Sequence, residues 1–225
     1  MPIRPLLAVL LLPGLAAARH PNPPPIERRE VIARTLDYAV TVEDNGIYGA
    51  GILIDPTAGL VITVEHVVSE MRSPKVIFAD GTRVGAKVAQ IEHGIDLALL
   101  EIPPQRRSAP VLGDATALKP GDELYAVGCP RHLGFTVSRG IVSFVGRPMD
   151  GARFVQSDLP INDGNSGGPV VNEQGELVAI MSFVLRHAQG LSFALPINYA
   201  AARFPRVAVL VDDRTYLERF RHWEK

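Results

Sequence analysis

The most informative stretch of the chain is Asp163-Gly164-Asn165-Ser166-Gly167-Gly168-Pro169. A serine hydroxyl is a poor nucleophile, and it needs a neighbouring base and hydrogen-bond donors for the developing oxyanion. Glycines on both sides of Ser166 allow a turn in which successive N–H groups point to one place and the hydroxyl stays exposed. The stretch therefore predicts a nucleophilic serine with an oxyanion hole formed at Gly164, Asn165 and Ser166. A simple Gly-Asn turn between two strands is the alternative.

A base and an orienting acid are available upstream of this loop. His66 lies in Val61-Ile62-Thr63-Val64-Glu65-His66-Val67-Val68, a pattern typical of a strand that runs into a short helical turn. Asp96 opens the apolar run Asp96-Leu97-Ala98-Leu99-Leu100, where a carboxylate can accept an imidazole N–H. Spacing alone leaves Asp96 as one choice among 24 acidic residues.

Short runs of β-type residues, separated by turn signals such as Asp80-Gly81, dominate the chain from Tyr38 onward. The runs are Tyr38–Val42, Gly51–Ile54, Val61–Thr63, Lys75–Phe78, Lys87–Ile91, Leu97–Ile102, Glu123–Val127, Phe135–Ser138, Ile141–Val145, Phe154–Ser157, Pro169–Val171, Leu177–Val184 and Leu191–Leu195. This pattern predicts an all-β sandwich or a pair of barrels, divided at Pro103–Pro110. Helical turns are expected at Glu27–Arg34 and after Ala200. The tail then predicts a strand at Val207–Val211 and a polar helix that ends near Trp223.

Composition excludes several classes of protein. The 225 residues are 47% hydrophobic with a formal net charge of −1, which gives no electrostatic basis for binding nucleic acid. A single cysteine, Cys129, excludes an intrachain disulfide and a site built from several cysteines. His66 and Glu70 are four residues apart, but no third ligand lies nearby in the sequence, so we expect no metal and no cofactor.

The chain resembles trypsin-like serine proteases of the HtrA/Deg type. The resemblance runs in family order over roughly residues 36–198. It rests on Gly49-Ala50-Gly51-Ile52-Leu53-Ile54-Asp55, the segments of His66 and Asp96, Leu112-Gly113-Asp114, Pro120-Gly121-Asp122, Ala126-Val127-Gly128-Cys129-Pro130, Thr136-Val137-Ser138-Arg139-Gly140-Ile141-Val142, Gln156-Ser157-Asp158 through Pro169, and Gly190-Leu191-Ser192-Phe193-Ala194-Leu195-Pro196.

The resemblance implies two perpendicular six-stranded antiparallel β-barrels with the active site in the cleft between them. We expect a protease domain over 36–205, with barrels at about 36–108 and 109–205 and a tail over 206–225. His66 and Asp96 would come from the first barrel and Ser166 from the second. Two positions depart from the family pattern, because Val64 and Cys129 stand where the family usually has asparagine. Too few residues follow Pro196 for a PDZ domain, so we expect none in this chain.

The resemblance also implies how substrate is bound. In this fold the specificity pocket is lined by residues just before the serine, here Pro160 and Ile161, and by the strand after it, here Ser182, Phe183 and Val184. None of these side chains is charged, which favours cleavage after small or medium apolar residues. The expected partners are protein or peptide substrates, including unfolded ones, and other copies of the chain in an oligomer such as a trimer.

The N-terminus predicts export. Residues 1–18 combine Arg4, the apolar run Leu6–Leu12 and the small residues Ala16-Ala17-Ala18, as a cleavable signal peptide does. A proline-rich linker and the first helix would occupy 19–35. We expect a periplasmic or extracellular protein with no membrane span after processing. In digestive proteases of similar fold, a newly cut N-terminal ammonium pairs with an aspartate just before the catalytic serine. The residue at this position here is Asn165, which carries no charge for such an ion pair. We therefore expect processing to serve export and not zymogen activation.

Overall fold

The computed structural model describes residues 27–129, 134–184, 190–211, 213 and 215–225. The predicted signal peptide and almost all of the proline-rich linker lie outside the described residues. Within the described residues the chain forms two seven-stranded sheets and five α-helices. In the first half they are α1 (Arg28–Tyr38), β1 (Ala39–Asp44), β2 (Ile47–Asp55), β3 (Leu60–Thr63), α2 (Glu65–Val68), β4 (Lys75–Phe78), β5 (Arg83–Gly85), β6 (Lys87–Glu92) and β7 (Leu97–Glu101).

In the second half they are β8 (Val111–Leu112), β9 (Glu123–Gly128), β10 (Thr136–Met149), β11 (Ala152–Ser157), β12 (Pro169–Asn172), β13 (Glu176–Val184), β14 (Ser192–Pro196), α3 (Ile197–Arg203), α4 (Pro205–Ala208) and α5 (Tyr216–Glu224). The short helices expected at the two ends of the chain are α1 and α5.

The strands form two units that follow the chain. The first sheet has the order β5-β4-β1-β2-β3-β7-β6 and is a half-barrel. The second has the order β12-β9-β10-β11-β14-β13, and pairing of β12 with β13 closes it into a six-stranded barrel. The short strand β8 adds to β13 in parallel. The structure confirms the all-β fold that the turn signals and alternating runs predict.

Two elements differ from the sequence-based expectation. The runs at Phe135–Ser138 and Ile141–Val145 are parts of one strand, β10, which pairs with β9 through its first half and with β11 through its second. The expected strand at Val207–Val211 is wrong, because the helix α4 covers Pro205–Ala208. Pro205 lies in the first turn of α4, where its fixed φ suits a helix and its missing N–H is not needed.

A shared apolar core joins the two units. One buried cluster includes Val40 and Ile52 of the first sheet, Phe193 and Leu195 of the second, and Phe220 of α5. A smaller cluster fills the closed barrel and includes Val142, Val155 and Met181. Every helix in the described ranges falls short of the length and apolar character that crossing a membrane requires.

Candidate active site

Strand pairing brings His66 and Asp96 together. Strands β3 and β7 are antiparallel, and Thr63 at the end of β3 lies opposite Ala98 near the start of β7. His66 follows β3 on the one-turn helix α2, and Asp96 precedes β7 directly after a 3-10 turn over His93–Ile95. Both side chains therefore lie at the same end of the first sheet.

The contact between these two residues involves both carboxylate oxygens. His66 Nδ1 lies 2.8 Å from Asp96 Oδ2, and the backbone N–H of His66 donates to Asp96 Oδ1 over 2.9 Å. Because a carboxylate accepts, this contact places the ring proton on Nδ1 and leaves Nε2 as the basic nitrogen. The arrangement is the one in which an imidazole can take a proton from a nucleophile.

A third donor to Asp96 comes from the second sheet. Ser182 is 2% exposed and its hydroxyl donates to Asp96 Oδ2 over 3.3 Å. Sequence reasoning placed Ser182 in the specificity pocket and missed this contact, because residues 86 positions apart meet only through the packing of one sheet against the other.

The loop of Ser166 connects β11 to β12 and is held from both sheets. The N–H of Ala50 in β2 donates to the carbonyl of Ser166 over 2.8 Å, and the N–H of Gly167 donates to Met181 of β13 over 2.7 Å. Gly167 has φ +90°, and a Cβ there would lie 2.2 Å from the carbonyl oxygen of Ala50. Only glycine fits this close approach, so the loop is fixed across the two units.

The hydroxyl of Ser166 is directed to the second sheet. Its Oγ donates to the carbonyl of Ser182 over 3.0 Å and, among the described residues, makes no hydrogen bond with His66. Ser182 thus contacts two of the three predicted triad residues. In enzymes without bound substrate, the hydrogen bond between nucleophile and base is often long or poorly aligned.

The residues predicted for the oxyanion hole differ in their hydrogen bonds. The N–H of Asn165 donates to Asn162 over 3.0 Å, so it is occupied. Within the described part of the chain, the N–H groups of Gly164 and Ser166 have no acceptor. Gly164 has φ +95°, a conformation that glycine adopts without strain. Two N–H groups without an acceptor in the described residues therefore lie on either side of Asn165, and an oxyanion hole is built from free donors of this kind.

The side chain of Asn165 is buried, with 4% exposure, and its Oδ1 has no hydrogen-bond partner among the described residues. It lies against Gly128, where a Cβ would come within 2.4 Å of Oδ1. The neighbouring Cys129 is also buried, and its N–H donates to the carbonyl of Gly164 over 3.4 Å. The end of β9 at Gly128 and the following Cys129 therefore pack against the Ser166 loop.

The residues predicted to line the specificity pocket lie in different environments. Pro160 and Val184 are exposed, and Ile161 and Phe183 are half-buried. The ring of Phe183 stacks on Phe193 with centroids 5.1 Å apart and meets Phe154 edge-on at 5.2 Å. From the sequence we also expect a loop at Arg186–Gly190 to become ordered near the site when substrate binds, but this loop lies outside the described residues except for Gly190.

Glu65, the neighbour of His66, does not face that imidazole. Its Oε1 lies 2.5 Å from Nδ1 of His93, which the sequence predicts to be a solvated loop residue. Farther along, the N–H groups of Ser73 and Arg72 donate to Asp44, which lowers the pKa of that carboxyl and fixes the segment after α2. Across the residues that the structure describes, no group of three or more His, Cys, Asp or Glu side chains is arranged to hold a metal ion.

Comparison with known proteins gives one family. Residues 49–180 match the family model of the trypsin-like peptidase domain. The periplasmic serine endoprotease DegP of Salmonella typhimurium is 40% identical over 158 residues, which are 67% of this chain and 33% of DegP. The chain therefore spans about a third of the length of this curated relative.

Solved structures of the same type share the fold. The HtrA-type protease AlgW with tripeptide superimposes with a TM-score of 0.74 at 27% identity, over 80% of this chain and 62% of AlgW. A serine endoprotease from Yersinia pestis gives a TM-score of 0.73 at 28% identity, over 82% of this chain and 68% of the other.

Proposed function

The chain belongs to the trypsin-like peptidases and is homologous to the HtrA serine proteases, and on this basis we propose that it hydrolyses peptide bonds with Ser166, His66 and Asp96 as its triad. The contact between His66 and Asp96, beside a serine loop with two unpaired N–H groups, is the observation that supports this proposal most strongly.

The chemistry follows from the contacts. With substrate bound, the Ser166 hydroxyl turns from the Ser182 carbonyl to His66 Nε2, and its oxygen attacks the scissile carbonyl as Nε2 takes the proton. The N–H groups of Gly164 and Ser166 stabilise the oxyanion, and Asp96 stabilises the imidazolium. His66 then gives the proton to the leaving amine. In the second half of the reaction, water takes the place of the amine: His66 accepts a proton from water as it attacks the acyl-enzyme, and returns the proton to the departing Ser166 oxygen.

The substrate class follows from the predicted pocket. Pro160, Ile161 and Val184 offer apolar surface, and no charged side chain among the predicted lining residues could pair with a substrate lysine or arginine. Burying such a cation without a partner is unfavourable, so cleavage follows small or medium apolar residues.

Peptides that differ only at the residue before the scissile bond test this preference. We expect kcat/KM to be about 100-fold higher with valine or alanine than with lysine at that position. Ser166→Ala, which removes the nucleophile and leaves the pocket, is the control for contaminating protease. A preference for lysine would show that these residues do not form the pocket, whereas no Ser166-dependent cleavage at all would contradict the proposed activity.

We also propose where the protein is located and how it assembles, on the basis of its family. The predicted signal peptide and the periplasmic relative DegP support export to the periplasm or cell exterior. Protein substrates, including unfolded ones, and self-association, such as a trimer, are proposed on the HtrA homology.

A further inference from the structure

A second imidazole–carboxylate contact lies beside the first. The Nδ1–H of His93 donates to Oε1 of Glu65 over 2.5 Å. Glu65 is the first residue of α2, directly before His66, and His93 is the first residue of the 3-10 turn that ends at Ile95, directly before Asp96. We propose that Glu65 and His93 are positioning residues that hold α2 and the 3-10 turn at the spacing that the His66–Asp96 contact requires. This inference rests on the proposed function.

The two contacts join the same two segments, and in the second contact the imidazole and the carboxylate have changed sides. Helix α2 supplies the carboxylate of Glu65 and the imidazole of His66, and the facing segment supplies the imidazole of His93 and the carboxylate of Asp96. Any change in the distance between the segments would stretch both contacts together. The Glu65–His93 contact, the outer pair, therefore restrains the geometry of the inner His66–Asp96 contact, on which proton transfer depends.

The inner contact needs such support. Helix α2 is a single turn of four residues without a side-chain N-cap, and a helix of this length is not stable alone. Asp96 lies between the 3-10 turn and β7 with φ +56°, a left-handed conformation that aspartate tolerates but that no regular element stabilises. The His66 side chain is 49% exposed, so packing alone does not fix the ring.

The outer pair is suited to positioning more than to global stability. The Glu65 side chain is only 20% exposed, but that of His93 is 79% exposed, and ion pairs with one partner in solvent contribute little to folding. In the described part of the chain, neither side chain makes another hydrogen bond, so removing one leaves the other without a local partner. The expected effect is therefore on turnover and not on thermal stability.

Steady-state kinetics of Glu65→Ala, His93→Ala and the double variant test the proposal. We expect kcat to fall about tenfold in each single variant with KM unchanged within about twofold, because the triad geometry loosens while substrate contacts remain. The double variant should lose no more than either single variant, since both remove one contact. Glu65→Gln, which keeps an acceptor oxygen for the His93 N–H, should retain most of the turnover.

A spectroscopic readout separates positioning from a general structural effect. The proton between His66 Nδ1 and Asp96 should give a low-field NMR signal that shifts or broadens in Glu65→Ala, while the thermal midpoint stays at the wild-type value. The matched control is Glu70→Ala, which removes an exposed carboxylate just beyond α2 whose side chain has no partner among the described residues.

The possible results are distinct. The proposal is overturned if Glu65→Ala and His93→Ala have the same kcat as the control Glu70→Ala. It is also overturned if the losses in the double variant are additive. A fall in thermal midpoint that matches the loss of turnover would contradict it as well. If the wild type shows no Ser166-dependent turnover, the proposed function fails and the positioning role fails with it. If the wild type is active and the variants match it, only the positioning role fails.

Discussion

Asp96 receives three hydrogen bonds, from the His66 backbone, the His66 ring and the Ser182 hydroxyl. Its two oxygens thus set both the tautomer of His66 and the orientation of the ring. An amide at this position keeps the size of the side chain but can no longer accept at both atoms.

Asp96→Asn should therefore lower kcat by about 10⁴ with little change in thermal stability. Asparagine tolerates left-handed backbone as aspartate does, so the φ of +56° is not a source of misfolding. Asp150→Asn is the matched control, since Asp150 also has positive φ but lies in the turn after β10. A loss of less than tenfold in Asp96→Asn would mean that another acid orients His66.

At this scale the sequence predicts which residues are candidates for catalysis, but it does not predict the contacts between them. The glycines around Ser166 indicate a loop in which the backbone can expose a nucleophile, and the family resemblance selects His66 and Asp96. The bond of Ser182 to Asp96 and the pairing of Glu65 with His93 depend on how separate elements meet. Neither contact leaves a local pattern in the sequence, so neither could be predicted.

At the scale of elements, helix α5 in the C-terminal tail packs against the rest of the fold. Phe220 is fully buried and meets Tyr199 of α3 edge-on with ring centroids 4.8 Å apart. The hydroxyl of Tyr216 donates to the carbonyl of Gly113 over 2.9 Å, and Arg219 pairs with Asp114 at 3.0 Å. The helix therefore packs on α3 and on the segment after β8, with apolar and polar contacts.

Phe220→Ala should lower the free energy of unfolding by about 3–5 kcal/mol, because it removes a fully buried ring and leaves a cavity. Chemical denaturation monitored by circular dichroism measures this change. Val209→Ala, at a side chain that is 79% exposed in the same tail, should change stability by less than about 0.5 kcal/mol. Equal stability of Phe220→Ala and wild type would show that α5 does not contribute to the fold.

The elements also show where sequence patterns mislead. Valines at 207, 209 and 211 favour a strand by propensity, but Pro205 starts a helix and Val207 packs into the shared core. The break expected within β10 reflects Gly140, which weakens a strand signal locally. Gly140 is favoured there, because a Cβ would lie 2.9 Å from the backbone nitrogen of Leu159. Tertiary packing, which is not visible in local propensity, decides both cases.

For the whole molecule, low carboxyl pKa values link stability to pH. The pKa of Asp80 is held at about 2, mainly because the N–H of Thr82 donates to this carboxylate and, to a smaller extent, because Arg107 does. The hydroxyl and N–H of Thr215, followed by Arg219, hold the pKa of Asp213 at about 2. Unfolded aspartates titrate near 4, so between these values the unfolded chain binds more protons than the folded one.

The contribution of these two carboxylates to stability should therefore be complete above about pH 4 and should be lost as the pH drops from about 4 to 2. Urea unfolding across this range measures the decline, which should be shallower in Asp80→Asn because one of the linked groups is gone. Glu70→Gln, at a carboxylate without a partner in the described part of the chain, should keep the wild-type slope. Identical slopes for Asp80→Asn and wild type would contradict the linkage.

The central claim, that two sheets together build an activated serine at Ser166, is tested most directly by covalent labelling. A phosphonate ester that reacts only with activated serine hydroxyls should add one group to each wild-type molecule. Mass spectrometry of the digested protein should place this group on Ser166. Ser166→Ala should take up no label, and His66→Ala should be labelled far more slowly, since the hydroxyl then lacks its base. Labelling of Ser166→Ala at the wild-type rate would contradict the account.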